Sequence, residues 1–222
     1  MREIQRTIRC WPPSDASAII TGKSGTGKEV VARAVHALSA RRNRPFIAIN
    51  AAAIPEGSIE SEIFGHEPGA FTGATRARPG VFELANGGTL FLDEIAEMPI
   101  SLPTRCSGFS RDGRARRLGG SKEVQFDVRV IAATNRSPAQ AVSRWHAPRG
   151  FVLSAERVRV SLPALNERSE DIGLLAQHFV GEFGRKHQMN VEGVWRRGGR
   201  VARSRIRGRE TSRVAQCDRA RP

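Results

Sequence analysis

An α/β fold, a parallel sheet layered between helices, is predicted for this chain by three observations. Short apolar runs alternate with segments of helical period. A glycine-rich loop joins the first run to the first helix, and a later run ends in two carboxylates. The 222 residues, 39% of them hydrophobic, suffice for one α/β domain with a small appendage. The elements follow in order. Ala18–Thr21 is four residues of apolar and β-branched character, a buried strand, and Gly27 to Leu38 has helical spacing. Phe46 to Ile49, Thr89 to Leu92, Val128 to Ala133 and Val158 to Leu162 repeat the strand signature. Beyond Pro163, the stretch Glu170 to His187 places Ile172, Leu175, Ala176, Phe179 and Phe183 on one helical face. Three units are expected: an α/β domain over 1–162, a partial helical lid over 163–193 and a basic tail over 194–222.

Composition excludes several function classes. No run of 18 apolar residues and no signal-peptide pattern occurs, so neither a membrane span nor export is expected. Cys10, Cys106 and Cys217 are too scattered for a disulfide framework or a zinc cluster, which fits a reducing cytoplasm. The formal charge of +14 points instead toward nucleic acid. Its placement is uneven. Residues 1–102 hold 11 basic and 11 acidic residues, whereas 194–222 carry a surplus of 8. That tail has little apolar periodicity and reads as a disordered basic arm, either nucleic-acid binding or inert.

Chemistry concentrates at the ends of the apolar runs. Gly22-Lys23-Ser24-Gly25-Thr26-Gly27-Lys28-Glu29 lies between the first strand and first helix. Its glycines let successive N–H groups face phosphates, the helix N-terminus adds its dipole, and Lys28 reaches the β- and γ-phosphates. Alone the string could be a chance glycine-rich turn, but its strand-loop-helix context makes it a nucleotide loop. Glu29 stands where the general motif has Ser or Thr, so the usual hydroxyl ligand of Mg²⁺ is missing. Asp93 and Glu94 end the run Gly88-Thr89-Leu90-Phe91-Leu92. Asp93 suits an Mg²⁺ ion and Glu94 the orientation of an attacking water, although an isolated acidic pair would as readily cap a helix. Asn50 and Thr134-Asn135 close two further runs and can contact the γ-phosphate, the water or Glu94, although one Asn after a strand is commonly a turn residue. Gly69-Ala70-Phe71-Thr72-Gly73-Ala74 forms a mobile small-residue loop with one aromatic, suited to a protein partner.

Together these strings resemble the central ATPase domain of sigma-54-dependent transcriptional activators, the bacterial enhancer-binding proteins of the AAA+ class. SGTGKE, FIAINAAAIPE, GAFTGA, GGTLFLDEIAEMP, RRLGG, DVRVIAATNR and SLPALNERSEDI carry the likeness over residues 14–102, 112–142 and 159–192. It implies a P-loop three-layer α/β sandwich followed by a helical lid. It also implies a hexameric ring that binds ATP with Mg²⁺ and couples hydrolysis to remodelling of sigma-54 RNA polymerase. Phe71 and Thr72 would touch sigma-54, Asn50 would be the switch partner of Glu94, and Thr134 and Asn135 the first sensor. A sensory domain and a DNA-binding helix-turn-helix are not expected within this chain.

Departures are local. Lys23, Ala51 and Pro68 replace a typical Glu, Cys and Lys, and three segments, 103–111, 143–157 and 194–222, match nothing in the family pattern. Neither arginine finger nor second sensor can be assigned there, and Arg149 sits poorly between Pro148 and Gly150. Codons exist for Cys106–Arg111, His146–Val152 and Arg213–Pro222 that read LLRVLQ, TLREDL and ELRNVIERA one base away, each resembling the family at that place. The three segments carry 12 of the 14 net charges. The alternatives to an active ATPase are a nucleotide-binding remnant without turnover and a basic nucleic-acid-binding protein acting through its tail.

Overall fold

The computed structural model describes Ile8 and residues 16–98, 114–135 and 158–187. Five parallel strands form the main sheet: β1 (Ala18–Thr21), β2 (Phe46–Asn50), β5 (Thr89–Asp93), β8 (Arg129–Thr134) and β9 (Val158–Ser161), ordered β2-β5-β8-β1-β9. All five expected strands are present, with ends shifted by one residue at most. Alternation along each strand divides the core. Ile19, Leu90, Leu92, Val130 and Ala132 turn to one face, and Ala18, Ile20, Phe91, Ile131 and Ala133 turn to the other. Burial on both faces of β1, β5 and β8 explains why those runs read as continuously apolar, whereas the edge strands expose Ala48 and Asn50 in β2 and Arg159 and Ser161 in β9.

The second of these faces is covered by α1 (Lys28–Ala37), whose Val31, Ala32 and Val35 pack against Ile20, Phe91 and Ile131. The opposite face carries α2 (Glu56–Phe64) through Ile59 and Ile63, and the short α3 (Val81–Leu84) through Val81 and Phe82. Each fully buried side chain of this size contributes about 1.5–3 kcal/mol. The result is the three-layer α/β architecture expected from the sequence. Helix α4 (Asp171–His187) begins one residue after its expected start. Its Ile172, Leu175, Ala176 and Phe179 are half-buried, while Phe183 is exposed.

Two small hairpins extend from the α2 side. Strands β3 (Gly65–His66) and β4 (Arg78–Pro79) are antiparallel and enclose residues 67–77; β6 (Arg114–Arg116) and β7 (Glu123–Gln125) form the other hairpin. Leu118 joins them, donating from its N–H to the Gly65 carbonyl at 3.0 Å and accepting from the Glu67 N–H at 2.9 Å. Gly65 must be glycine: its φ is 76°, and a Cβ there would run into the backbone of Arg78 and Gly80. The three anomalous segments, Arg149 and the tail all lie outside the described residues.

Candidate functional site

A parallel sheet delivers every strand's C-terminal end to one edge, and the candidate residues gather there. Asn50 is opposite Asp93 across β2 and β5, and Thr21 is opposite Thr134 across β1 and β8. The loop after β1 is tied down on one side by the Gly22 N–H, which donates to the Thr134 carbonyl at 3.1 Å. Gly25 and Gly27 are left-handed, with φ of 82° and 94°, and Gly27 leads directly into α1. Gly22 is pressed against Leu162, so a Cβ there would meet Thr26 Oγ1 at 2.8 Å and Leu162 at 3.0 Å. Thr26 is buried, and its hydroxyl donates to the Lys23 carbonyl at 2.8 Å, closing the loop on itself. Lys23 and Ser24 are exposed.

Lys28, on the first turn of α1, is 5% exposed and has three oxygens near its Nζ. It donates to the Gly22 carbonyl and to Glu94 Oε1, both at 3.2 Å, and lies 4.0 Å from Asp93 Oδ1. Glu94 is also buried, and its Oε2 accepts from the Asn135 backbone N–H at 3.3 Å. Among the described residues Glu94 is the one non-glycine with positive φ, at 52°. Such a conformation costs on the order of 1–3 kcal/mol and persists where the surroundings over-determine it. Here the lysine and the Asn135 amide do so. Asp93 Oδ1 accepts from the Glu94 N–H at 2.9 Å. Burial pushes the Asp93 carboxyl above its ordinary range, and the Lys28 ammonium pulls part of that shift back.

The remaining candidate residues make contacts of their own. Asn50 Oδ1 accepts from the Ala52 N–H at 3.0 Å and caps the short turn Ala51–Ala53, a bond that leaves its amide nitrogen as the end able to donate to a carboxylate. Glu29 pairs outward with Arg33 along the exposed face of α1, at 2.7 Å. Thr134 is fully buried, while Asn135 is exposed and reaches Glu94 through its backbone. One site residue escaped notice in the sequence. Arg168, 7% exposed, donates from Nη2 to the Thr26 carbonyl at 2.7 Å. Its signal was an arginine inside SLPALNERSEDI, indistinguishable by pattern from a surface charge.

The loop Gly69–Ala74 lies away from this edge, on the α2 side. Gly69 and Gly73 have φ of 81° and 99°, and the Gly69 N–H donates to the Ala74 carbonyl at 2.8 Å, pinching the loop at its base. Phe71 is 47% exposed and meets the His66 ring edge-on at 5.0 Å, while Thr72 and Gly73 are open to solvent. His66 is itself held by the Ser61 hydroxyl, 2.7 Å from Nδ1. Ala70 lies so close to Gly119 that a Cβ on that glycine would fall 2.9 Å from it, so the second hairpin buttresses the loop. Arg117 locks this arrangement, donating twice to Glu83 at 2.7 and 2.6 Å and once to Glu67 at 3.1 Å.

Comparison with known proteins agrees with the fold. The chain is 49% identical over 180 residues to the DNA-binding transcriptional regulator NtrC of Escherichia coli, a match covering 81% of the chain and 38% of NtrC. It is 42% identical over 191 residues to the Nif-specific regulatory protein of Azospirillum lipoferum, covering 86% of the chain and 31% of that protein. The chain thus spans about a third of the length of these relatives. Among solved structures, NtrX of Brucella abortus superposes with a TM-score of 0.85 at 31% identity, over 98% of this chain and 49% of NtrX. The same protein in complex with ATP superposes at 0.84, over 97% of this chain and 49% of NtrX, again at 31% identity. The Sigma-54 interaction domain profile matches residues 1–149, and the chain belongs to that family.

Proposed function

We propose that this chain binds ATP at the loop Gly22–Glu29 and serves as the sigma-54-contacting ATPase module of a cytoplasmic transcriptional activator. The observation that carries the reading is the convergence of Lys28, Asp93 and Glu94 beneath a loop whose glycines, left-handed at Gly25 and Gly27, leave its amides free of side-chain bulk. The donor set suits a nucleotide phosphate: an ammonium, a helix N-terminus and a glycine-relieved loop. Mg²⁺ suits it less completely. Asp93 retains one carboxylate oxygen beyond its bond to the Glu94 N–H, and Glu29 is engaged with Arg33. An ion here would rest on Asp93, the nucleotide's own phosphates and water, which is how Mg²⁺ is commonly held.

The residues then divide the chemistry. Lys28 neutralises phosphate charge, moving off Glu94 as it does so. Glu94, steered by the Asn135 amide, orients a water and accepts its proton. Asn50 presents its amide nitrogen, since its oxygen is taken by the Ala52 N–H. Phe71 and Thr72 are the contact points for sigma-54, in a homo-oligomer of the kind the family resemblance implies. A second reading, nucleotide binding without turnover, is favoured by the unmatched stretch 143–157, where no arginine finger can be assigned. Binding of a fluorescent ATP analogue and phosphate release by the purified chain test both. Under the first reading Glu94→Gln keeps binding and lowers turnover on the order of 10²- to 10⁴-fold. Binding without measurable release by the wild-type chain selects the second, and absence of binding ends both.

A further inference from the structure

Arg168 stands out because a buried guanidinium spends a 2.7 Å hydrogen bond on a backbone carbonyl of the nucleotide loop, 142 residues away in sequence. It follows the turn Leu165–Glu167, its own N–H bonded to the Leu165 carbonyl at 3.2 Å, and its carbonyl accepts from Asp171, the first residue of α4, at 3.0 Å. Leu165 beneath it is fully buried. The backbone carrying Arg168 is therefore fixed, and so is the point from which it reaches Thr26. Its Nε is buried with no hydrogen-bond partner among the described residues, so the arginine is kept there at a cost in desolvation.

The peptide that Arg168 grips joins Thr26 to Gly27. In a trans peptide the carbonyl and the following N–H point in opposite directions. Holding the Thr26 carbonyl on the Arg168 side therefore aims the Gly27 N–H to the other side of the loop. Gly27, at φ 94°, has no Cβ to resist that orientation, and this peptide is the last but one before α1 begins. A cation on the carbonyl also polarises the peptide and strengthens its N–H as a donor. We propose that Arg168 is a positioning residue for nucleotide binding: by anchoring the Thr26 carbonyl it orients and polarises the Gly27 N–H toward a phosphate. The inference rests on the reading of Gly22–Glu29 as a phosphate loop. It adds a route by which a bound phosphate is felt at the first residue of α4, three positions beyond Arg168.

The test uses the full chain and Mg-ADP as probe, with Arg168→Gln, Arg168→Lys and, as a control, Arg129→Gln. Arg129 is equally buried, at 2% exposure, and bonds the Ala16 carbonyl rather than the loop. Affinity is measured below each variant's melting temperature, and the Gly27 amide is followed by NMR. Losing one charge-assisted hydrogen bond of this kind should weaken ADP binding by roughly tenfold or more in Arg168→Gln. Arg168→Lys should recover part of the loss, and Arg129→Gln should lower the melting temperature with affinity within twofold of wild type. The downfield shift of the Gly27 amide on ADP addition should be large in the wild type and much reduced in Arg168→Gln. Equal affinities and equal amide shifts in wild type and Arg168→Gln overturn the inference, as does an Arg129→Gln loss matching that of Arg168→Gln. If Arg168→Gln does not fold, Arg168→Lys decides alone, since unchanged affinity and amide shift there also overturn it. Failure of the wild-type chain to bind ADP is a different result, and it removes the nucleotide reading itself.

Discussion

Glu94 is held by opposite demands: a strained backbone at φ 52°, a buried carboxylate, and a single lysine that answers its charge. Removing one member of a buried ion pair leaves the other uncompensated, which costs about 3–5 kcal/mol, whereas removing both can be near neutral. Lys28→Met should therefore lower the urea midpoint strongly, and Lys28→Met with Glu94→Gln should recover most of the loss. Independent, additive effects in that double-mutant cycle would show that the pair is not coupled. His36 makes a second prediction at this scale. It is 8% exposed, its Nδ1 lies 2.9 Å from Thr89 Oγ1, and its ring meets Phe46 at 5.2 Å. Burial, reinforced by the charge of Arg129, holds its pKa below the ordinary 6.5. The unfolded chain then takes up a proton before the folded one does. Stability is unaffected well above pH 6.5, falls as the pH drops through that value, and levels off only once folded His36 is itself protonated. Urea midpoints between pH 8 and 5 should show this decline in the wild type, and His36→Gln should flatten it. An equal decline in the variant would assign it to other groups.

Elements whose residues are buried on both faces were legible in the sequence; elements that depend on tertiary partners were not. Strands β1, β2, β5 and β8 announced themselves because apolar runs of four to six residues have few other uses between turn signals, and β9 by its alternation of Val158 and Val160 with Arg159 and Ser161. Their order was not legible, since β8 lies between β1 and β5 by long-range pairing alone. The two-residue strands β3 and β4 carry no periodicity at all: they exist because Gly65 and Gly80 let two backbones approach and Leu118, from the second hairpin, pairs alongside β3. At the site, Lys28, Asp93 and Glu94 were readable from motif spacing, whereas the cap made by Asn50 and the grip of Arg168 were not. Both depend on which neighbour wins a side chain that has several possible partners. Arg117 is a third case, a charge of ordinary appearance that joins α3, the second hairpin and the base of the Gly69–Ala74 loop. Partly exposed, its bidentate bond to Glu83 should contribute about 1–2 kcal/mol. Arg117→Ala should speed protease cleavage within residues 67–77 and weaken capture of sigma-54, while ADP affinity stays within twofold. Unchanged cleavage would mean that the loop is held by its own turns and Gly119 alone.

Charge is the property of the whole molecule that the fold leaves unexplained. The sheet edge needs one lysine and two carboxylates, and the loop on the α2 side is ringed by paired arginines such as Arg78 with Glu62 and Arg116 with Glu123. Neither calls for a net charge of +14. Of that total, 12 belong to 103–111, 143–157 and 194–222, the segments that depart from the family pattern. An arm selected to bind DNA would concentrate its arginines in one stretch. These surpluses of 2, 2 and 8 instead fall wherever the pattern is lost, including a nine-residue stretch between matching neighbours. Reading GC-rich codons out of frame yields arginine often, so a lost frame would account for both the charge and the missing motifs. The gene should then carry, one base from the present frame, codons for LLRVLQ at 106–111, TLREDL at 146–152 and ELRNVIERA at 213–222. Synonymous codons incompatible with those strings at any two of the three places would defeat the account and return the basic tail to the nucleic-acid reading. That reading makes its own demand: duplex DNA binding whose logarithm falls steeply and linearly with the logarithm of salt, abolished by deleting 194–222. Frame loss predicts instead that a chain corrected at all three places regains a near-neutral charge and arginines in the finger segment, and hydrolyses ATP faster than the present chain.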